Sequence, residues 1–500
     1  MSDNRGPEFG ELGEGDFGVG EEEREEFGAI NEARERDENE YGQQEGVHSV
    51  KDLREPISVS SSNKRAKEMS IDRLSALPNS LLIHILSQLD SGEAATLAVL
   101  SRRWQYLWTE LPALDFWETR KPVDFVPWVH RTLLLRSGIY LERFRVFFRY
   151  NNCFASDVNA WVHFAVKHKV KELDLMLQSE EHFYMLPQDL FCNSGLTSLF
   201  LERCILAPRR TIEWQSLSHL RIKSVELCED VIQNILSGCP VLYSLNLSRC
   251  WGFKFLEVNS RSLVSLGVSV CGDKMSKHLV EISAPYIKML DISLHPSRTK
   301  MQLNNIPSVT DADINYTVPH SSVEVMNNTM ELLEMLQHVK VLVLGYGVIE
   351  VLSEMVVHGW RLPESKQDCL VIDTWRDGDS IPAIVGLLES SSKLDTLVVQ
   401  CCDSYEESVT TWGPPVKDDL VCDLLHLKVV RFIGYANPYL AGEPMLTLAR
   451  ILLKRATALE KMVIDKEEDL TNFPSDVSKI VGTVLSYSRS SEKAIVVLHE

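Results

Sequence analysis

The sequence predicts an α/β chain: a short three-helix unit, then an irregular solenoid of strand–helix repeats, then a small α+β region at the C-terminal end. Three observations carry that prediction. Between Leu74 and Phe116, apolar residues recur at helical spacing in three short bursts. From Leu173 to Leu290, a leucine pattern returns every 21 to 26 residues. Beyond Trp412 the period lengthens.

In chain order, residues 1–69 are rich in Glu, Gly, Asn and Ser and poor in aliphatic residues. Such a segment cannot bury enough apolar area to offset its ordering entropy, so a disordered acidic tail is expected. The chain carries a net charge of −20, and its first 50 residues hold 16 acidic against 4 basic side chains. Gly13, Gly15 and Gly18 match a phosphate-loop spacing, but no strand precedes them, and Glu14 and Asp16 would repel a phosphate. Lys64, Arg65 and Lys67 read either as solvated linker charge or as a nuclear-import signal.

Residues 70–116 form the three-helix unit. Leu77-Pro78 opens the first helix, and Leu81, Leu82, Ile85, Leu86 and Leu89 follow at helical spacing. Ser91 is expected to cap the second helix, with Glu93 in its first turn and Ala94, Leu97 and Ala98 on its apolar face. Ser101 to Trp108 forms the third, with Trp104, Leu107 and Trp108 together. So small a unit buries too little apolar area to use up these side chains internally. The surplus implies docking, either onto the rest of the chain or onto a partner.

Residues 117–165 are expected to link and cap. Trp117, Phe125, Trp128 and Leu133 would join the two parts, while Phe144 to Phe148 and the stripe Trp161, Phe164, Ala165 would cover the first repeat. Repeats are expected over 166–405. Leu196, Leu199, Leu201 and Cys204 read L-x-x-L-x-L-x-x-C; so do Leu242, Leu245, Leu247 and Cys250, and Leu263, Leu266, Val268 and Cys271. Between second apolar positions the steps from Leu173 to Leu290 are 26, 21, 25, 21 and 24 residues; two double steps of 52 and 55 follow, with weak copies at Ile314/Tyr316 and Leu370/Ile372 inside them. A period of about 20 to 29 residues with this motif is the leucine-rich repeat signature. Each unit supplies one short strand, and stacking buries what one unit cannot. The terminal cysteines are then small buried apolar residues. Helices are expected at Val231 to Leu236, ended by Gly238 as a C-cap, at Met326 to Leu336, and at Ile384 to Leu388. Exposed strand residues such as Thr197, Ser198, Phe200, Ser244, Asn246, Ser265 and Gly267 alternate with the core and are expected to form part of a binding face. Residues 406–500 read strand–helix–strand–helix–strand.

These residues also carry a resemblance. Asp72, Arg73, Leu74, Ser75, Leu77 and Pro78 at the front, and Ser101, Arg103, Trp104, Leu107, Trp108, Pro112, Leu114 and Phe116 at the back, resemble the plant form of the F-box. That form has acidic residues after its Leu-Pro pair, where this chain has Asn79 and Ser80. The C-terminal region, with Trp412, Pro415, Cys422, Leu424, Leu427 to Val430, Gly434 and Leu459 to Ile464, resembles the FBD domain of plant F-box/leucine-rich-repeat proteins. The resemblance implies a substrate-recognition adaptor of a Skp-cullin-F-box ubiquitin ligase. The F-box would bind a Skp-type adaptor, and through it a cullin-RING ligase; the repeats would hold a protein substrate. By matching positions, adaptor contact would fall on Leu77, Pro78, Leu81, Leu82, Ile85, Leu89, Leu97, Leu100, Arg103 and Trp104. Some of these must instead hold the helices together. The rival readings are a non-degradative scaffold or a ligand-sensing receptor.

Other classes find little support. No run of 18 apolar residues suggests a membrane span, and the acidic balance argues against a nucleic-acid surface. Eleven scattered cysteines without a C-x-x-C pair read as reduced thiols of a nuclear or cytoplasmic protein, with no metal or other cofactor implied. No G-x-S-x-G, H-E-x-x-H or Walker loop occurs, so no catalytic residue is expected.

Overall fold

The computed structural model describes residues 77–499, apart from 90, 98–102, 120, 137–140, 271–277, 318–321, 375–379, 402–423, 435–442 and 466–480. The expected acidic tail, the basic cluster at Lys64, and Leu100, Cys271 and the motif at Trp412 lie outside the described residues. Three short helices come first: α1 (Asn79–Leu86), α2 (Ser91–Thr96) and α3 (Trp104–Leu107), with a 3₁₀ turn at Trp108–Glu110. Among the described residues the third helix is one turn of α-helix with a tighter extension to Glu110; its expected start at Ser101 lies outside them. Pro78 stands at the N-cap of α1, where its carbonyl accepts from the Leu81 and Leu82 amides, and Ser91 is the first residue of α2 and not its cap.

A single sheet then runs through the chain. Its fifteen strands are β1 (Ala113–Trp117), β2 (Arg143–Arg149), β3 (Glu172–Gln178), β4 (Ser198–Glu202), β5 (His219–Lys223), β6 (Ser244–Cys250), β7 (Ser265–Val270), β8 (Met289–Leu294), β9 (Asp311–Tyr316), β10 (Val341–Leu344), β11 (Cys369–Thr374), β12 (Thr396–Cys401), β13 (Val429–Ile433), β14 (Lys461–Asp465) and β15 (Ile495–His499). Every neighbouring pair is parallel and follows chain order. The two apolar positions of each L-x-L stand in register across the sheet, as Leu173 on Leu199 on Leu220 and Leu175 on Leu201 on Ile222. All six are buried. The residue between them points to the other face, because side chains alternate along a strand. One face therefore becomes the core, and the other stays open.

The helices that cover the core face are α4 (Pro122–Leu135), α5 (Ala155–Lys167), α6 (Glu229–Gly238), α7 (Val323–Met335), α8 (Tyr346–Val357), α9 (Ile381–Ser390) and α10 (Glu443–Arg455). Their distribution explains the uneven period. Where no α-helix intervenes, Leu199 and Leu220 are 21 residues apart; where α10 intervenes, Val430 and Met462 are 32 apart. In the helix-poor middle, the short strands 255–257, 278–283 and 299–304 make a second parallel sheet instead. The weak copies at Ile314 and at Leu370 are full strands, β9 and β11. Strands β13 to β15, in the expected α+β region, continue the same ladder.

Three expectations change. Leu114 and Phe116, read with the three-helix unit, belong to β1 and are buried in the core of the array, since their alternation is that of a strand. Trp117 does not join the two parts: it is 41% exposed on the open face beside Phe147, at 5.5 Å between ring centroids. Phe125, by contrast, is buried against Phe148 and Trp161. Gly238 is not a C-cap but the last residue of α6, and a Cβ there would lie 2.3 Å from the Ile212 carbonyl oxygen. Close backbone approach, not left-handed freedom, demands glycine there. Gly238→Ala is therefore expected to destabilise the array by about 1 to 3 kcal/mol, the range for forced overpacking, read as a lowered urea midpoint at unchanged slope.

Candidate functional site

Two surfaces qualify, and the first is the three-helix unit. It has a core of its own, separate from that of the array: Leu82, Leu86, Ala94, Trp104, Leu107 and Leu111 are buried, with Leu77 and Leu97 packed against them. Helix α1 is apolar beyond its buried face. Leu82 and Leu86, four residues apart, face in. Leu81 and Ile85, one residue round the helix from that pair, and Leu89, just past its end, remain 49, 39 and 37% exposed, and Pro78 is exposed before them. Arg103 has an internal partner: it donates from Nε and Nη to Asn79 Oδ1 at 2.9 and 2.6 Å and from Nη to the Leu77 carbonyl. Asn79 thus ties the start of α1 to the start of α3.

The ten expected contact positions therefore divide. Leu82 and Trp104 are core, Leu77 and Leu97 line it, and Arg103 braces the helices. Pro78, Leu81, Ile85 and Leu89 form an outward apolar set, and Leu100 is outside the described residues. Tyr106, 65% exposed on α3, is an outward aromatic that the motif positions did not include. The unit meets the array through α2 against β1 and through the Arg136 guanidinium, which donates to the Leu111 carbonyl at 2.7 Å.

The second surface is the open face of the sheet, read along the middle position of each L-x-L. Over β1 to β5 its charges are internally matched. Arg143 pairs with Asp115 at 2.9 Å, Arg145 with Asp174 at 2.7 Å and Lys223 with Glu202 at 2.8 Å, while the Arg221 guanidinium sits 5.3 Å from the Phe200 ring. Asn246 and the small Gly267 follow on β6 and β7. Then come Asp291 on β8 and Asp313 on β9, directly opposite one another. Asp373 lies on β11, two residues beyond Val371 of the same row. None of these three carboxylates has a hydrogen bond or ion pair among the described residues. The next middle positions are Val343, Val371 and Val398, half-buried and in register. Loss of water against the sheet raises the Asp291 and Asp373 carboxyls above the usual range; Asp313, with the same cause and then the charges of Asp291 and Asp373, is pushed up to about 6.

Ser198, Phe200, Ser244, Asn246, Ser265 and Gly267 all lie in the open-face rows, though Gly267 is buried. The three aspartates were missed, yet the signal was present: Asp291 is the x of Leu290-x-Ile292, as Asn246 is of Leu245-x-Leu247. Cys204, two residues past β4, and Cys250, at the end of β6, are buried, and burial pushes their thiols up, Cys250 to about 12. Neither is a reactive thiolate.

A small helical unit with its own core, joined to a solenoid of parallel L-x-L strands, defines a repeat protein with an appended helical module. Comparison with known proteins agrees. The leucine-rich-repeat family described as At1g61320/AtMIF1, LRR domain, matches residues 133–497, and the F-box domain matches 74–114. The F-box/LRR-repeat protein At5g02910 of Arabidopsis thaliana is 30% identical over 351 residues, 67% of this chain and 74% of its own. F-box/LRR-repeat protein At3g03360 of the same plant is 29% identical over 350 residues, 66% of this chain and 70% of its own. The chain belongs to the plant F-box/leucine-rich-repeat family.

The raised Asp313 carboxyl has a consequence for stability. The folded chain holds this proton to about pH 6, whereas an unperturbed carboxyl releases it near 3.8. Between those values the folded state binds more protons, so stability falls as pH rises through the window. Asp313→Asn is thus expected to stabilise the chain above pH 7, by no more than about 1 kcal/mol because the carboxyl is screened by water. Urea midpoints at pH 8 and pH 4 check this; the gain should vanish at pH 4.

Proposed function

We propose that the chain is the substrate-recognition adaptor of a Skp-cullin-F-box ubiquitin ligase. Its F-box docks a Skp-type adaptor, which brings a cullin-RING ligase, and its repeats hold a protein substrate. One observation carries the reading: the unit spends Leu82, Leu86 and Trp104 on its own core and leaves Pro78, Leu81, Ile85 and Leu89 facing outward. An apolar face left exposed among the described residues is what helix-in-groove docking uses. Asn79 and Ser80, in place of acidic residues, fit this, since Asn79 is occupied with Arg103.

The subunit needs no catalytic residue. Holding a substrate lysine near a charged E2 raises effective concentration, and proximity supplies the rate gain. No described helix is long and apolar enough to cross a membrane, and we place the complex in the nucleus or cytoplasm. Within this reading, residues 1–69 are a tail, 117–165 the entry to the array, and 406–500, the FBD-like region, the far end of the substrate-holding part. Strands β13 to β15, which extend the sheet there, support that role.

The test is capture of the full chain by a purified plant Skp-type adaptor. Leu81→Ser/Ile85→Ser is expected to weaken capture at least about a hundredfold, as loss of central apolar anchors does, with the unfolding midpoint held. Leu82→Ala is the contrasting control: it should lower the stability of the unit by about 2 to 5 kcal/mol. Undiminished capture by the Leu81/Ile85 variant would contradict the assignment.

A further inference from the structure

The open face divides into two chemically different halves, and the division names a class of substrate. Over β1 to β5, acids and bases are matched within the sheet, so a charged partner would have to break existing ion pairs. Over β8 to β11 the acids Asp291, Asp313 and Asp373 have no base among the described residues, and beside them the row turns aliphatic at Val343, Val371 and Val398. Electrostatic complementarity selects a cation for the first part, and apolar burial an aliphatic side chain for the second. A free metal ion meets only half of this, and the three carboxylates do not converge into a cluster that could hold one. An anionic segment or a nucleic acid is repelled.

We propose that the open face between β8 and β12 receives an extended protein segment in which a lysine or arginine seats between Asp291 and Asp313, and an aliphatic side chain lies on the Val343–Val371–Val398 stripe. Adjacent strands are about 4.8 Å apart, so the stripe begins about 5 Å from Asp313 and ends about 15 Å from it. A segment crossing the strands advances about 3.3 Å per residue. The aliphatic residue therefore stands two to four positions from the basic one. Asp373, at the edge of the stripe, favours a second basic residue near it. This rests on the reading of the repeats as the substrate-holding part and narrows what they hold.

The experiment measures binding of the full chain to three labelled nonapeptide pools. The first has lysine or arginine at one position and leucine or valine two to four positions on; the second replaces the basic residue with glutamate; the third replaces the aliphatic residue with serine. The expected result is at least about a tenfold preference for the first pool over each of the others, weakened by salt and lost in Asp291→Asn/Asp313→Asn. These substitutions remove repulsion and should leave the fold intact; unchanged capture by the Skp-type adaptor verifies that. Equal binding of the first and second pools, or a preference that survives in the double variant, overturns the proposal. Peptide selectivity with no adaptor capture would sink the ligase reading alone, and adaptor capture without selectivity would sink this one alone.

Discussion

The structure depends on the in-register stacking of two aliphatic positions per strand along a parallel sheet. A single repeat exposes both faces of its strand and cannot fold alone. Once Leu199 lies over Leu173 and Leu220 over Leu199, each strand satisfies its neighbour's backbone and buries its leucines together. Burial of one such side chain contributes about 1.5 to 3 kcal/mol, so the ladder gains with every unit added. The same alternation that sends leucine inward sends the intervening residue outward, so the open face follows from the core.

The F-box unit obeys a different constraint. Too short to bury all its apolar surface, it closes a six-residue core and leaves one side of α1 exposed among the described residues. Arg103 ties the start of α1 to the start of α3 by bridging Asn79 and the Leu77 carbonyl. The unit is held to the array by polar and edge contacts through Arg136 and α2. Its core and that of the array stay distinct, which suits the proposed division of docking from recognition.

Much of this was legible in the sequence, and the failures have physical reasons. L-x-x-L-x-L carries both strand position and facing, so strands from Leu173 to Val399 could be read directly, and even the weak copies at Ile314 and Leu370 proved to be strands. Leu114 and Phe116 were misplaced because two alternating apolar residues after a helix are too few to separate strand from helix tail. Gly238 looked like a helix stop because spacing shows where a glycine sits, not that the Ile212 carbonyl comes within reach of it. On α1, periodicity marked five apolar residues but could not say that Leu82 rather than Leu81 faces in, since both are apolar. The facing of Asp291 was readable from its motif, but that it goes unmatched was not, because charge matching depends on register between strands over 20 residues apart.

Docking and recognition are proposed to occupy separate surfaces of one chain. Hydrogen–deuterium exchange of the full chain, with and without a saturating Skp-type adaptor, tests this proposal most directly. New protection is expected only within residues 78–110, with exchange across β1 to β15 unchanged. Protection spread over the open face of β8 to β12, or none in α1, would contradict it.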